Sequence, residues 1–112
     1  MIKVYVKEEE QRITRIIVTG HAYYDEPGKD VVCAAISALT IGTVNSVEIL
    51  LNIDLYPEED QKKGGYLAWD VPLIEDINID AKLQLLMKAM VESLKMIEND
   101  YKKYIKVTIE AS

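Results

Sequence analysis

The sequence predicts an α+β domain in which a mixed or antiparallel sheet carries two packed helices, in the order ββαββαβ. Three observations lead there. Short runs rich in β-branched residues lie near both ends of the chain; two longer stretches, one almost uncharged and one apolar at helical spacing, lie between them; and polar or glycine-containing segments separate the runs. The 112 residues form one domain over 1–112, because a chain this short removes only about two-thirds of its unfolded surface from water and cannot fill two cores.

Residues 2–6 and 13–18 read as strands, and the polar segment 8–11 has the length of a hairpin connection. In the second strand Ile13 and Ile17, with Arg15, share one face, while Thr14, Ile16 and Val18 share the other. Apolar residues on both faces place that strand inside the sheet. A loop from Gly20 closes at Pro27-Gly28, and Asp30 is a good N-cap for a helix over 31–51. Glu48 is the only charge in that helix, so it lacks a solvated face, and the second helix or another copy of the chain must cover what the sheet does not. Leu55 and Tyr56 end a short third strand, 57–65 is a solvated connection, and 66–71 alternates as a fourth strand, completing a second hairpin. Asp80 is the expected cap of a helix reaching residue 99, with Leu83, Leu86, Met87, Met90, Leu94 and Ile97 on its apolar stripe. Its Met residues read as core filler, and Lys82, Lys88, Glu92 and Lys95 as its wet face. Residues 104–109 close the sheet, with Ile105, Val107 and Ile109 on one face.

A composition 49% hydrophobic and 29% charged excludes the disordered class. Thirteen Lys and Arg against nineteen Asp and Glu leave a net charge of −6, which disfavours nucleic acid and favours cationic partners. Met1 leads directly into the charged run 3–10, so no signal peptide is read and a cytoplasmic location is expected. Within the uncharged stretch 31–47, Ser37, Thr40, Thr43, Asn45 and Ser46 argue against a bilayer span, so no membrane partner is expected. No cofactor or metal is expected either. One His and one Cys supply too few soft ligands for zinc, and a lone cysteine has neither a disulfide partner nor a resolving thiol.

His21 and Cys33 each occur once, twelve positions apart. With Asp30 as cap, Cys33 is the third helical residue, where backbone N–H groups lack intrahelical partners and the helix end carries partial positive charge. Such a site favours a thiolate, the form that attacks a carbonyl, and the same N–H groups can receive the oxyanion of a tetrahedral intermediate. On spacing alone a packing role is the more usual one for such a residue. Free cysteines are commonly buried, Ala34-Ala35 suit close packing, and twelve residues permit contact with His21 without forcing it.

The run Gly20-His21-Ala22, followed by Gly28-x-Asp30-x-Val32-Cys33-Ala34-Ala35-x-Ser37, resembles the signature of the bacterial ribosomal-processing cysteine protease family, Prp. Length and element order agree over essentially the whole chain. The resemblance implies a homodimeric cysteine endopeptidase that removes a short N-terminal extension from a large-subunit ribosomal protein. Carried over by position, it implies Cys33 as nucleophile and His21 as general base. Asp30 has two roles open to it, orienting the imidazole and capping the helix, and a carboxylate has oxygens for both. Ser37, one turn beyond Cys33, can face the site or pack against a neighbouring helix. Gly20 and Gly28 would be hinges of a covering loop, and Ala22, Tyr23 and Tyr24 belong to the substrate side, although loop tyrosines are also exposed without function. Acidic residues Glu58, Glu59, Asp60, Glu75, Asp76 and Asp80 suit a cationic ribosomal tail. The competing hypothesis is a non-catalytic dimeric assembly factor that binds a basic ribosomal protein.

Overall fold

The computed structural model describes residues 1–20, 29–60 and 65–112, and of 29 and 30 the backbone alone. Its elements are β1 (Ile2–Glu9), β2 (Arg12–Thr19), α1 (Lys29–Leu51), β3 (Glu58–Glu59), β4 (Tyr66–Asp70), α2 (Ile77–Asp100) and β5 (Ile105–Ala111), the predicted order. The strands form a mixed sheet, β3-β4-β2-β1-β5, in which β1 and β5 run parallel and the other pairs antiparallel. β2 is therefore interior, as its two apolar faces require.

The β1–β2 connection is shorter than the polar segment 8–11. The strands extend until Glu9 pairs with Arg12, leaving a two-residue turn at Glu10 and Gln11, both with positive φ, as the right-handed twist of a hairpin demands. A bulge between Lys7 and Glu8 then breaks the alternation of β2, because Lys7 pairs with Arg15 while Glu8 pairs with Ile13. Thr14 is the extra residue, its hydroxyl donating to the Lys7 carbonyl at 3.2 Å. In consequence Ile13 shares the core with Ile16, not with Ile17: Ile13 and Ile16 are fully buried and Ile17 is half-buried.

β4 stops at Asp70, opposite Arg15, so the N–H and C=O of Ile13 further along β2 have no strand beside them. Buried Gln84 of α2 takes that place: its Oε1 accepts the Ile13 N–H and its Nε2 donates to the Ile13 carbonyl, both at 2.9 Å. A helix is thereby hydrogen-bonded to the sheet at one defined point.

Both helices pack on the same face of the sheet. Val32, Ile36, Val44 and Val47 of α1, Leu83, Met87, Met90 and Leu94 of α2, and Ile2, Val4, Val6, Ile16 and Trp69 of the strands form one buried cluster. Met87 and Met90 are core residues, and Met87 Sδ also accepts the indole N–H of Trp69 at 3.5 Å. α1 and α2 cover each other on one side only, so Val31, Ala34, Ala35, Ala38 and Ile41 remain exposed on α1. By length and composition Val31–Leu51, with a mean hydropathy of 1.6, is apolar enough to cross a bilayer, so the exclusion drawn from its polar residues is too strong. What this fold does with the helix is bury one stripe of it against the sheet.

Three element boundaries depart from expectation. α1 begins at Lys29, so Asp30 stands inside its first turn rather than flanking it. The third strand is Glu58–Glu59, not a run ending at Leu55 and Tyr56, because Asn52 and Tyr56 adopt positive φ and Asp54 accepts the Tyr56 N–H in a local turn. α2 starts one turn early, capped by Asp76, whose Oδ1 accepts the N–H groups of Asn78 and Ile79. Among the closing-strand residues Ile109, on the edge strand of the sheet, is also more exposed than expected, at 41%.

Asp80, no longer a cap, pairs bidentately with Arg12 and accepts the Ile74 N–H at 3.0 Å. The hydrogen bond from Arg12, then that from Ile74, hold its carboxyl below the ordinary carboxylate pKa. A lowered folded-state pKa adds stability that is present above the unfolded value and lost as pH falls through the folded one. Asp80→Asn is therefore expected to cost about 1–2 kcal/mol at pH 6 to 7 and progressively less in acid. Urea denaturation of both proteins as a function of pH checks this; a constant difference down to pH 2 would contradict it.

Candidate active-site cleft

Where the end of β2 meets the start of β4 under the first turns of α1, the sheet and helix diverge and leave a cleft of about 160 Å³. Gly20 and Gly65 form part of its wall; both have positive φ, and the Gly20 N–H donates to the Gly65 carbonyl at 3.1 Å. A Cβ added at Gly20 would collide with the Met1 carbonyl oxygen. Gly20→Ala is thus expected to lower stability by about 1–3 kcal/mol, seen as a reduced denaturation midpoint, and to impair any reaction in the cleft.

From α1, Cys33, Ile36, Ser37, Thr40 and Ile41 line the same space. Their spacing of three or four residues is the reason, since it puts them on one helical stripe. Cys33 is half-buried and is the fifth helical residue, not the third, because the helix starts at Lys29. Its Cα–Cβ bond, like every helical one, tilts toward the N-terminal end, where the unpaired amides lie. Thr40 is a structural member of the stripe: it is buried, and its hydroxyl donates to the Ile36 carbonyl at 2.8 Å. On the sheet side Tyr66 accepts a 3.5 Å hydrogen bond from Arg15, whose guanidinium also binds Asp70 at 2.9 Å. The Asp70 hydrogen bond raises the Arg15 pKa further above its ordinary value, so this brace stays charged.

The structure thus brings together three of the residues singled out in the sequence: Gly20, Cys33 and Ser37. His21, Ala22, Tyr23, Tyr24 and Gly28 lie outside the described residues, as does the side chain of Asp30. Glu59, which the sequence marks only as one of several acidic residues, and Gly65, Tyr66 and Leu67, which it does not mark, also join the cleft. They reach it through strand pairing across 26 or more positions of sequence from Cys33, for which no local pattern exists.

Comparison with known proteins gives a consistent picture. A family model described as "Cysteine protease Prp" matches residues 1–106. The ribosomal processing cysteine protease Prp of Bacillus subtilis (strain 168) is 35% identical over 109 residues, covering 96% of each chain. That of Staphylococcus aureus (strain Mu50) is 33% identical over 99 residues, covering 88% of this chain and 89% of its own. Among solved structures, SMU.848 from Streptococcus mutans superposes with a TM-score of 0.90 at 28% identity, over 100% of this chain and 96% of that one. The S. aureus protease Prp in complex with a substrate peptide superposes with a TM-score of 0.76 at 29% identity, over 98% of this chain and 100% of that one.

Proposed function

This chain belongs to the cysteine protease Prp family and is a cysteine peptidase; from that premise we propose that it removes a short N-terminal extension from a basic large-subunit ribosomal protein. The observation that carries this is the position of Cys33, half-buried in a cleft under the N-terminal turns of α1 and across from Gly20, the residue that precedes His21. Relatives named as ribosomal processing proteases, one of them solved with a substrate peptide, support the same reading.

In the proposed reaction His21 takes the thiol proton as Cys33 Sγ attacks the scissile carbonyl carbon. The oxyanion that forms is received by free N–H groups at the start of α1. Collapse breaks the C–N bond, His21 returns the proton to the leaving amine, and a thioester remains on Cys33. Water, deprotonated by His21, then attacks the thioester and releases the extension and the thiol. Because α1 begins before Asp30, we assign Asp30 to orienting His21 rather than to the cap. On the substrate side this reading assigns Gly20, Ala22, Tyr23, Tyr24 and Gly28, with Ser37 contacting the peptide from the helix. The enzyme is taken to work in the cytoplasm, as a homodimer that covers the exposed apolar face of α1.

Incubation with the extended ribosomal protein encoded in the same genome, under reducing conditions, tests the activity by mass spectrometry. Loss of the extension is expected; an unchanged substrate mass would overturn the assignment. Sedimentation reads the dimer separately, and a 12.7 kDa species at micromolar concentration would rule it out.

A further inference from the structure

We infer that Glu59 makes one end of the Cys33 cleft a subsite for a cationic side chain, so that the peptide accepted there carries a lysine or arginine among apolar residues. This rests on the proteolytic reading and narrows its substrate. Glu59 is the carboxylate among the described residues lining the cleft, and none of those residues is a lysine or arginine. The surroundings are apolar: Val18, Ile36, Ile41 and Leu67 line the same space. A cation entering beside them leaves bulk water on one side, which strengthens its attraction to the carboxylate, while the aliphatic stem of a lysine or arginine packs on the apolar walls.

Strand parity separates Glu59 from its neighbours in the acidic run. Glu59 pairs with Leu67, which pairs with Val18, which pairs with buried Val4; that row belongs to the face on which the helices pack. Glu58 pairs with Ala68, which pairs with Ile17, and so belongs to the opposite face. Two adjacent glutamates of equal charge thus differ in whether they meet the peptide. Long-range attraction would use both alike.

The experiment compares Glu59→Gln with Glu58→Gln on peptides spanning the cut site, with lysine, its uncharged isostere norleucine or glutamate scanned along the sequence. At one position lysine should exceed norleucine about three- to tenfold in kcat/KM for the native enzyme. That preference should vanish in Glu59→Gln, persist in Glu58→Gln, and turn toward glutamate in Glu59→Lys. Equal losses in the two Gln variants, or an unchanged preference in Glu59→Gln, would overturn the subsite while cleavage itself stands. Binding of the same fluorescent peptides to Cys33→Ala separates the two ideas. A Glu59-dependent lysine preference in binding, without cleavage by the native protein, keeps the subsite and removes the protease reading; absence of both binding and cleavage overturns both.

Discussion

Cys33→Ala is expected to abolish cleavage of the extended ribosomal protein, by at least about 10³-fold, while the protein folds as before. The thiol supplies the electron pair that forms the thioester, and alanine offers no substitute. Stability should change by only about 1 kcal/mol, because Cys33 is half-buried at the rim of the core and the substitution removes a single heavy atom. Mass spectrometry of the substrate reads the activity, and circular dichroism with urea denaturation reads the fold. The companion change His21→Ala should cost a similar factor, and the double variant should be no worse than either single one, since nucleophile and base act as a unit. Activity of Cys33→Ala within tenfold of the native protein would remove Cys33 from the nucleophile's role.

Gln84→Leu is expected to lower stability by about 2–5 kcal/mol although it lies away from the cleft. Leucine fits the volume and suits the helix, so neither a cavity nor a propensity loss is involved. The cost comes from the Ile13 N–H and C=O, which β4 does not reach and which would be left buried without partners. Each such group costs about 1–3 kcal/mol. In a domain of this size the melting temperature should fall by roughly 10–20 °C. The neighbouring Leu85→Ala is the control: Leu85 is 67% exposed, and its loss should stay within about 0.5 kcal/mol. Comparable denaturation midpoints for the two variants would show that the Gln84 side chain is not what joins α2 to β2.

These two residues mark the limits of what a linear reading can reach. Cys33 was visible because the features that qualify it, a helix start and small neighbours, are adjacent in sequence. Gln84 was invisible as a tie: in a helical pattern it is one more polar residue, and its partner lies 71 positions away. The face of Ile17 is hidden from a linear reading for a related reason. Alternation predicts faces only while the ladder is regular, and the bulge between Lys7 and Glu8 depends on the register of β1 against β2. The cap of α2 is a local feature by contrast: Asp76 and Asp80 are both of N-cap residue type, one turn apart, and the helix uses the first.

The amino-acid order by itself determined the number and sequence of elements, the interior position of β2, the two helices and the spacing of twelve positions between a unique histidine and a unique cysteine. Those follow from periodicity, breakers and residue chemistry, all local along the chain. Only the tertiary structure decided that Gly20, Cys33 and Ser37 share a cleft with Glu59 and Tyr66, and that Asp80 serves Arg12 rather than a helix end. The physical reason is that strand register and helix docking are settled by which apolar faces can be buried together and which backbone groups must then find partners, quantities that belong to the assembled core.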